Sequence, residues 1–232
     1  MKDLLPVQKG FIEKHGFGFV FDIKSFRVPV EFIEWVMSNT FATSYEFLFN
    51  EKSITFTKEM VVTVLGVPSG SIQVDVDCSD FEDEALVEKF KAEYKEGKSY
   101  PIRKCVELMT AEQGEQAFMR HFMLFLISTI LIPGKSNTLC VEYLPCLLKV
   151  ELIPKLDWAD EILHVVMHEV HRFHTLRDCF GHPVAMKHFY MEGCLPLLAV
   201  SIFSFDAFYF FLALQYYMLE LCRTKDLSFI IN

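Results

Sequence analysis

The stretch "AFMRHFMLFLISTILIP", residues 117–133, most constrains what this chain can fold into. Its apolar residues fall on nearly every side of a helical wheel, so a helix built from it has no face to give to water. The run is too short to cross a bilayer and contains Arg120 and His121. It therefore reads as a core helix that the rest of the chain must wrap. With 232 residues, 52% of them hydrophobic and 24 of them Phe, the chain has the material to do so.

The other elements follow from local signals. "GFGFVFDIKSFRV" (16–28) reads as extended chain, and Pro29 suits the first turn of a helix carrying Phe32, Ile33, Trp35 and Val36 at helical spacing. "YEFLF" and "SITFT", flanking Asn50, Glu51 and Lys52, read as a β-hairpin. Thr57 is placed to cap a helix through Val61, Val64 and Leu65; Gly66 is placed to end it at positive φ, and Pro68 cannot continue it. The acidic run 75–84 leads into a helix with Ser79 and Glu82 as a capping box and Gly97 at its far end. A second box, Thr110 with Gln113, is expected to open the core helix. "CVEYLPCLLKV" and "WADEILHVVMHEVHRFHTL" read as two further helices. The expected fold is mainly α: an irregular helical bundle with a small N-terminal β-hairpin or sheet element. Residues 1–200 form one globular domain and 201–232 a divergent apolar tail, read as a packed helix.

Charge narrows the partners. Lys and Arg number 22 against 31 Asp and Glu, a net charge of −9, which repels phosphate and argues against direct nucleic-acid binding. The seven cysteines are odd in number, widely spaced and without a C-x-x-C pair, so they fit a reducing compartment. The N-terminus lacks the continuous apolar core of a secretory signal.

"HVVMHEVHRFH" (164–174) raises the question of a metal. On a wheel of about 100° per residue, Ile162, Val165, Val166, Val170, Phe173 and Leu176 share one arc. His164, His168 and His171 share the opposite, solvated side at i, i+4, i+7, where they are weak metal candidates. The zincin pattern H-E-x-x-H is broken, since the segment reads H-E-V-H. Glu169 points into the apolar arc and needs a partner. "PGKSNT" lacks the earlier glycine of a phosphate loop and follows a helix, so it reads as a turn. "RDCFGH" offers Cys179 with His182, or with His174, as a thiol nucleophile and base. No cofactor is expected; a pyridoxal enzyme would need a Schiff-base lysine and phosphate cup that no residues supply.

Three blocks together resemble the plant mobile domain, a transposon-derived domain also labelled aminotransferase-like. They are "GFGFVFDIKSFRVPVEFIEWVMSNT" through "SITFTKEMVVTVLGVPSG", then "FMRHFMLFLISTILIPGKSNTLCVEYLPCL", then "LDWADEILHVVMHEVHRFH" followed by "MEGCLPLLAV". Thr57, Leu65, Gly66, Pro68, Gly70 and Trp158 carry its structural motif. The resemblance implies a non-enzymatic nuclear protein-interaction module of transposon origin, linked to silencing or genome stability, with nuclear protein partners. It transfers no catalytic residue. Beyond residue 200 the likeness lapses, which implies a truncated parent domain. Two alternatives stand beside it: a cysteine-dependent hydrolase or transferase using Cys179 with His174 or His182, and a tail-anchored protein through residues 195–219. In that stretch thirteen aliphatic and Phe residues are set against Asp206, and the insertion balance is close to neutral.

Overall fold

The structure, a computed structural model, describes residues 4–23, 30–49, 51–77, 81–134, 136–180 and 191–204. Its helices are α1 (Pro6–Lys14), α2 (Val30–Ser38), α3 (Lys58–Leu65), α4 (Phe81–Tyr94), α5 (Ile102–Ala111), α6 (Glu115–Leu126), α7 (Trp158–Phe180) and α8 (Leu195–Ser204). An antiparallel sheet of order β1-β2-β3 comprises β1 (Thr40–Phe41), β2 (Glu46–Phe49) and β3 (Lys52–Thr55). The mainly helical fold with a small sheet near the start is the architecture observed.

Helix α6 lies at the centre. Phe118, Met119, Phe122, Met123, Leu124 and Leu126 are fully buried, which an all-round apolar helix requires. It packs against α5, α1 and the 3-10 segments that follow it. Buried Gln8 ties α1 to this layer: its amide donates to the carbonyls of Met109 (3.3 Å) and Glu112 (2.8 Å), while its oxygen accepts from Leu5 N. A buried amide so satisfied fixes where α1 can sit. Past Leu126 the helix widens into a π-turn over Ile127–Leu131, closed by the Ile132 N to Ile127 O bond. Ser128 and Thr129 donate their hydroxyls back to Leu124 O and Phe125 O, and such back-bonding competes with the regular ladder.

Helix α7 forms the second layer and contacts α3, α2 and β1, while α8 covers α3 and α2. Its wheel is observed as expected on most positions. Ile162, Val166, Val170 and Phe173 are buried and His164, His168 and His171 are exposed. Val165 is half-buried and Leu176 lies exposed near the end of the helix.

Several expectations are corrected. The described part of 16–28 is not extended: Gly18–Phe21 is a 3-10 turn that buries Phe17 and Val20 at the foot of α1. Residues 24–29 lie outside the described residues, and so does the capping position Ser79. The sheet has a third strand, β1, beside the expected hairpin. Thr110 does not cap the core helix. It lies inside α5, with its hydroxyl on Val106 O and Glu107 O, and α6 begins after Gly114, whose N–H is held by the Glu112 carboxylate. Helix α4 ends at Tyr94, and Gly97 takes φ +61° in the turn beyond, bridged by Glu96 and Ser99. "CVEYLPCLLKV" is no α-helix but 3-10 turns, Val141–Tyr143 and Pro145–Leu147, with a third at Val150–Lys155. Pro145 and Pro154 lack the N–H that an α-helix needs there. "PGKSNT" leads from the π-turn to these 3-10 turns and pairs with the start of α5 through Pro101–Thr138, so it joins a helix to a helix-less segment.

Among the described residues no helix is long and apolar enough to cross a membrane. Residues 205–232, where most of the tail-anchor question falls, lie outside them.

Candidate functional site: a groove beside the hairpin

The signature residues of the sequence assemble a backbone junction. Thr57 accepts from Met60 N and caps α3, and Gly66 ends it at φ +71°, a left-handed conformation that L side chains rarely adopt. Leu65 is half-buried at that helix end, and the chain then pairs with the entry of α7 through an antiparallel bridge, Ser69–Asp157, and a parallel one, Ile72–Leu156. Gly70 N donates to Leu156 O (3.0 Å), Ile72 N to Lys155 O (3.1 Å), and Asp157 N to Ile72 O (2.7 Å). A Cβ on Gly70 would sit 1.8 Å from the Lys155 carbonyl oxygen, so only glycine permits this approach. Pro68 packs over Gly16, and Trp158, fully buried, donates Nε1 to Ile153 O (2.8 Å). Asp157 closes the junction by accepting from Lys58 and, at 3.2 Å, from Ser69. Its carboxylate holds the Lys58 ammonium above the ordinary lysine range. These residues position α3 against α7.

The candidate chemistry of α7 resolves into packing. Glu169 is buried at 4% exposure and accepts from Arg172 Nε (2.8 Å), from the second guanidinium nitrogen and from Glu192 N (2.9 Å). The odd carboxylate of the apolar arc thus fastens α7 to the chain entering α8, and raises the Arg172 pKa in turn. His164, His168 and His171 all face outward, and among the described residues no group of three or more His, Cys, Asp or Glu is placed to hold a metal ion. His174 is not free to serve as a base through both nitrogens, since its Nε2 donates to Thr40 O (2.9 Å). The Cys179 side chain and His182 lie outside the described residues.

Buried titratable groups elsewhere are held neutral by desolvation. Burial pushes the Cys105, Cys146 and Cys194 thiols up to about 12 and Cys140 up to about 11, so each is an unreactive thiol at neutral pH. Tyr94 and His121 meet at 2.7 Å between α4 and α6. Burial, then the neighbouring Arg120 charge, lowers His121 to about 4, and burial raises Tyr94. Arg120 lies 3.9 Å over the Phe90 ring, with its Nε buried and unpartnered.

The sheet has a face open on the surface. The register pairs Phe41 with Glu46, Glu46 with Thr55 and Leu48 with Ser53, so these residues share the outer face. Phe47, buried, and Phe49 share the inner face, where Trp35 of α2 meets both rings edge-on at 5.4 Å and 5.3 Å. A groove of about 540 Å³ opens between the end of α2 and the hairpin, walled by Trp35, Asn39, Leu48 and Phe49 and edged by Glu46 and Glu51. Leu48 is 41% exposed and Phe41 51%. The sequence reading missed this surface. Its one signal was "FLF", since three successive apolar residues in a strand force the middle one outward. A second groove, about 500 Å³, is walled by Phe19, Ile23, Val64, Leu65 and Ile130, and a smaller cleft of about 180 Å³ is lined by Asp75, Asp77 and Asp83.

Comparison with known proteins corrects the resemblance read from the sequence. No curated protein and no solved structure matches the chain. The family model that matches over residues 1–199 is not the plant mobile domain. Transposon origin, nuclear location and a link to silencing were implied by that resemblance alone and lose their support with it. Over those 199 residues the chain belongs to the family described as a domain of unknown function (DUF8566).

Proposed function

We propose that this chain is a non-catalytic protein-interaction module that receives a partner's segment in the groove beside the hairpin. The observation that carries the reading is an aromatic wall, Trp35 and Phe49, next to Leu48 at 41% exposure. Strand alternation turns Leu48 away from the core, so the fold itself has no use for an apolar residue there. Glu46 and Glu51 outnumber Lys52 along the groove, which on a chain of net charge −9 favours a partner segment that is apolar with basic flanks. The polar groups inside the fold support the non-catalytic reading: Glu169, Tyr94, half-buried His174 and the thiols of Cys105, Cys140 and Cys146 each have a hydrogen-bond partner that accounts for them.

The test is a display library of natural peptide segments panned on the full chain and on Leu48→Glu. The reading predicts an enriched set rich in apolar-plus-basic segments that Leu48→Glu no longer retains. Enrichment of the same peptides by both proteins, or of none, would overturn it.

A further inference from the structure

The hairpin presents more than a groove. The Phe56 N to Tyr45 O bond (2.7 Å) sets the alternation of the β2–β3 ladder: Ile54 and Lys52 exchange bonds with Phe47 and Phe49. The N–H and C=O groups of Ser53 and Thr55 consequently point away from β2. Both residues are exposed, and among the described residues no hydrogen bond reaches these outward groups. The opposite edge is treated differently. There the outward carbonyl of Thr40 accepts from His174 Nε2 at 2.9 Å, and the Thr40 hydroxyl donates to Val36 O at 2.8 Å, so α7 and α2 seal β1. One edge of the sheet is closed by side chains and the other is left open.

We infer that the partner's segment binds as an added strand on β3, a conclusion that rests on the reading of the hairpin as the docking surface. Four backbone groups, two donors and two acceptors, are available to it, and main-chain pairing of this kind supplies affinity without demanding a particular sequence. Charge decides the occupant. Glu51 precedes β3, Glu46 lies across from Thr55, and Glu59 follows in the first turn of α3. Lys58 nearby is neutralised by Asp157, which leaves Lys52 as the cation of the strand itself. The ligand is therefore an extended protein segment alternating basic and apolar side chains, the basic ones on the outer face, where Glu46 lies across from Thr55, and the apolar ones on the inner face beside Ile54. A second copy of this chain, with its own charge of −9, is a poor occupant.

The probe is an alternating Lys–Val peptide blocked at both ends, titrated into the full chain with hydrogen exchange read residue by residue. The added strand predicts that amide exchange at Ser53 and Thr55 slows by about fivefold or more, because each outward N–H gains a bond of order 1 kcal/mol and about 1.4 kcal/mol is tenfold. An alternating Glu–Val peptide, and the Lys–Val peptide N-methylated at every second residue, are predicted to give no protection. Thr55→Pro removes one outward N–H while leaving the β2–β3 ladder intact, and is predicted to weaken binding without loss of circular dichroism; Ser53→Pro serves as the second variant. Perturbation at Trp35 and Leu48 without protection at Ser53 and Thr55 would overturn the added strand and leave the groove reading standing. Protection that persists undiminished in Leu48→Glu would support the strand and sink the groove. No response to any of the peptides would overturn both.

Discussion

Replacing Gly70 by Ala tests the junction between α3 and α7. The new Cβ would lie 1.8 Å from Lys155 O, 2.0 Å from its carbonyl carbon and 2.7 Å from its Cα. All three are backbone atoms, so no side chain can swing aside. Ordinary contact begins near 3.4 Å, so the two segments must separate by about 1.6 Å. That displacement stretches the bonds Gly70 N to Leu156 O, Ile72 N to Lys155 O and Asp157 N to Ile72 O beyond hydrogen-bond range. At about 1 kcal/mol each the loss is roughly 3 kcal/mol. Alanine returns some tenths of a kcal/mol by stiffening the unfolded chain, which leaves a net loss of about 2–3 kcal/mol. Urea denaturation followed by far-ultraviolet circular dichroism reads this directly. With a slope of about 2–3 kcal/mol per molar, the midpoint falls by about 1 M. Gly10→Ala is the control: it lies in α1 with open space around it, and is predicted to hold or raise the midpoint. A Gly70→Ala midpoint within roughly 0.2 M of the parent would refute the close-approach argument, since no reading of the geometry accommodates the methyl group without movement.

Gly66→Val places a β-branched residue at φ +71° with its Cβ about 3.0 Å from Phe19, and is predicted to cost about 2 kcal/mol by the same urea assay. His121 is neutral in the fold, with its pKa lowered to about 4, while in the unfolded chain it titrates near 6.5. The unfolded state therefore binds the extra proton, so stability is full above about pH 6.5 and falls towards pH 4, by up to about 3 kcal/mol. His121→Gln, which can still bond Tyr94, is predicted to flatten the urea midpoint between pH 6.5 and 5. Glu169→Ala strips the acceptors from Arg172 and from Glu192 N, and is predicted to lower stability by about 2 kcal/mol and to speed exchange of the Glu192 amide.

The parts of this fold that were legible in the sequence are those written by local rules. Thr57 and Gly66 bound α3 because a cap and a left-handed stop act within one turn. The faces of α7 follow from spacing alone, with Ile162, Val166 and Val170 inward and His164 and His168 outward. Helix α5 escaped because Cys105 and Met109 are its only fully buried residues, too sparse a stripe to register, and Thr110 with Gln113 imitates a cap. The 3-10 turns after residue 140 carry helix-like apolar spacing, yet two prolines and the need to seat Leu147 and Ile153 against α6 override it. The groove was not legible, because Trp35 reaches Phe47 and Phe49 only after α2 folds back over the hairpin. The family assignment failed for a related reason. Residues such as Gly66, Gly70 and Trp158 report the geometry of a junction, and a junction does not specify ancestry.

The measurement that bears most directly on the docking claim is site-specific photo-crosslinking from the outer face of the hairpin. A benzophenone amino acid at position 48 is compared with the same group at position 164, which is exposed on α7 and outside the groove lining. In cell extract, the account predicts discrete crosslinked products from position 48 that map by mass spectrometry to apolar-basic segments and vanish when Trp35→Ala dismantles the wall. Equal and diffuse labelling from both positions, or products from position 48 that survive Trp35→Ala, would contradict it.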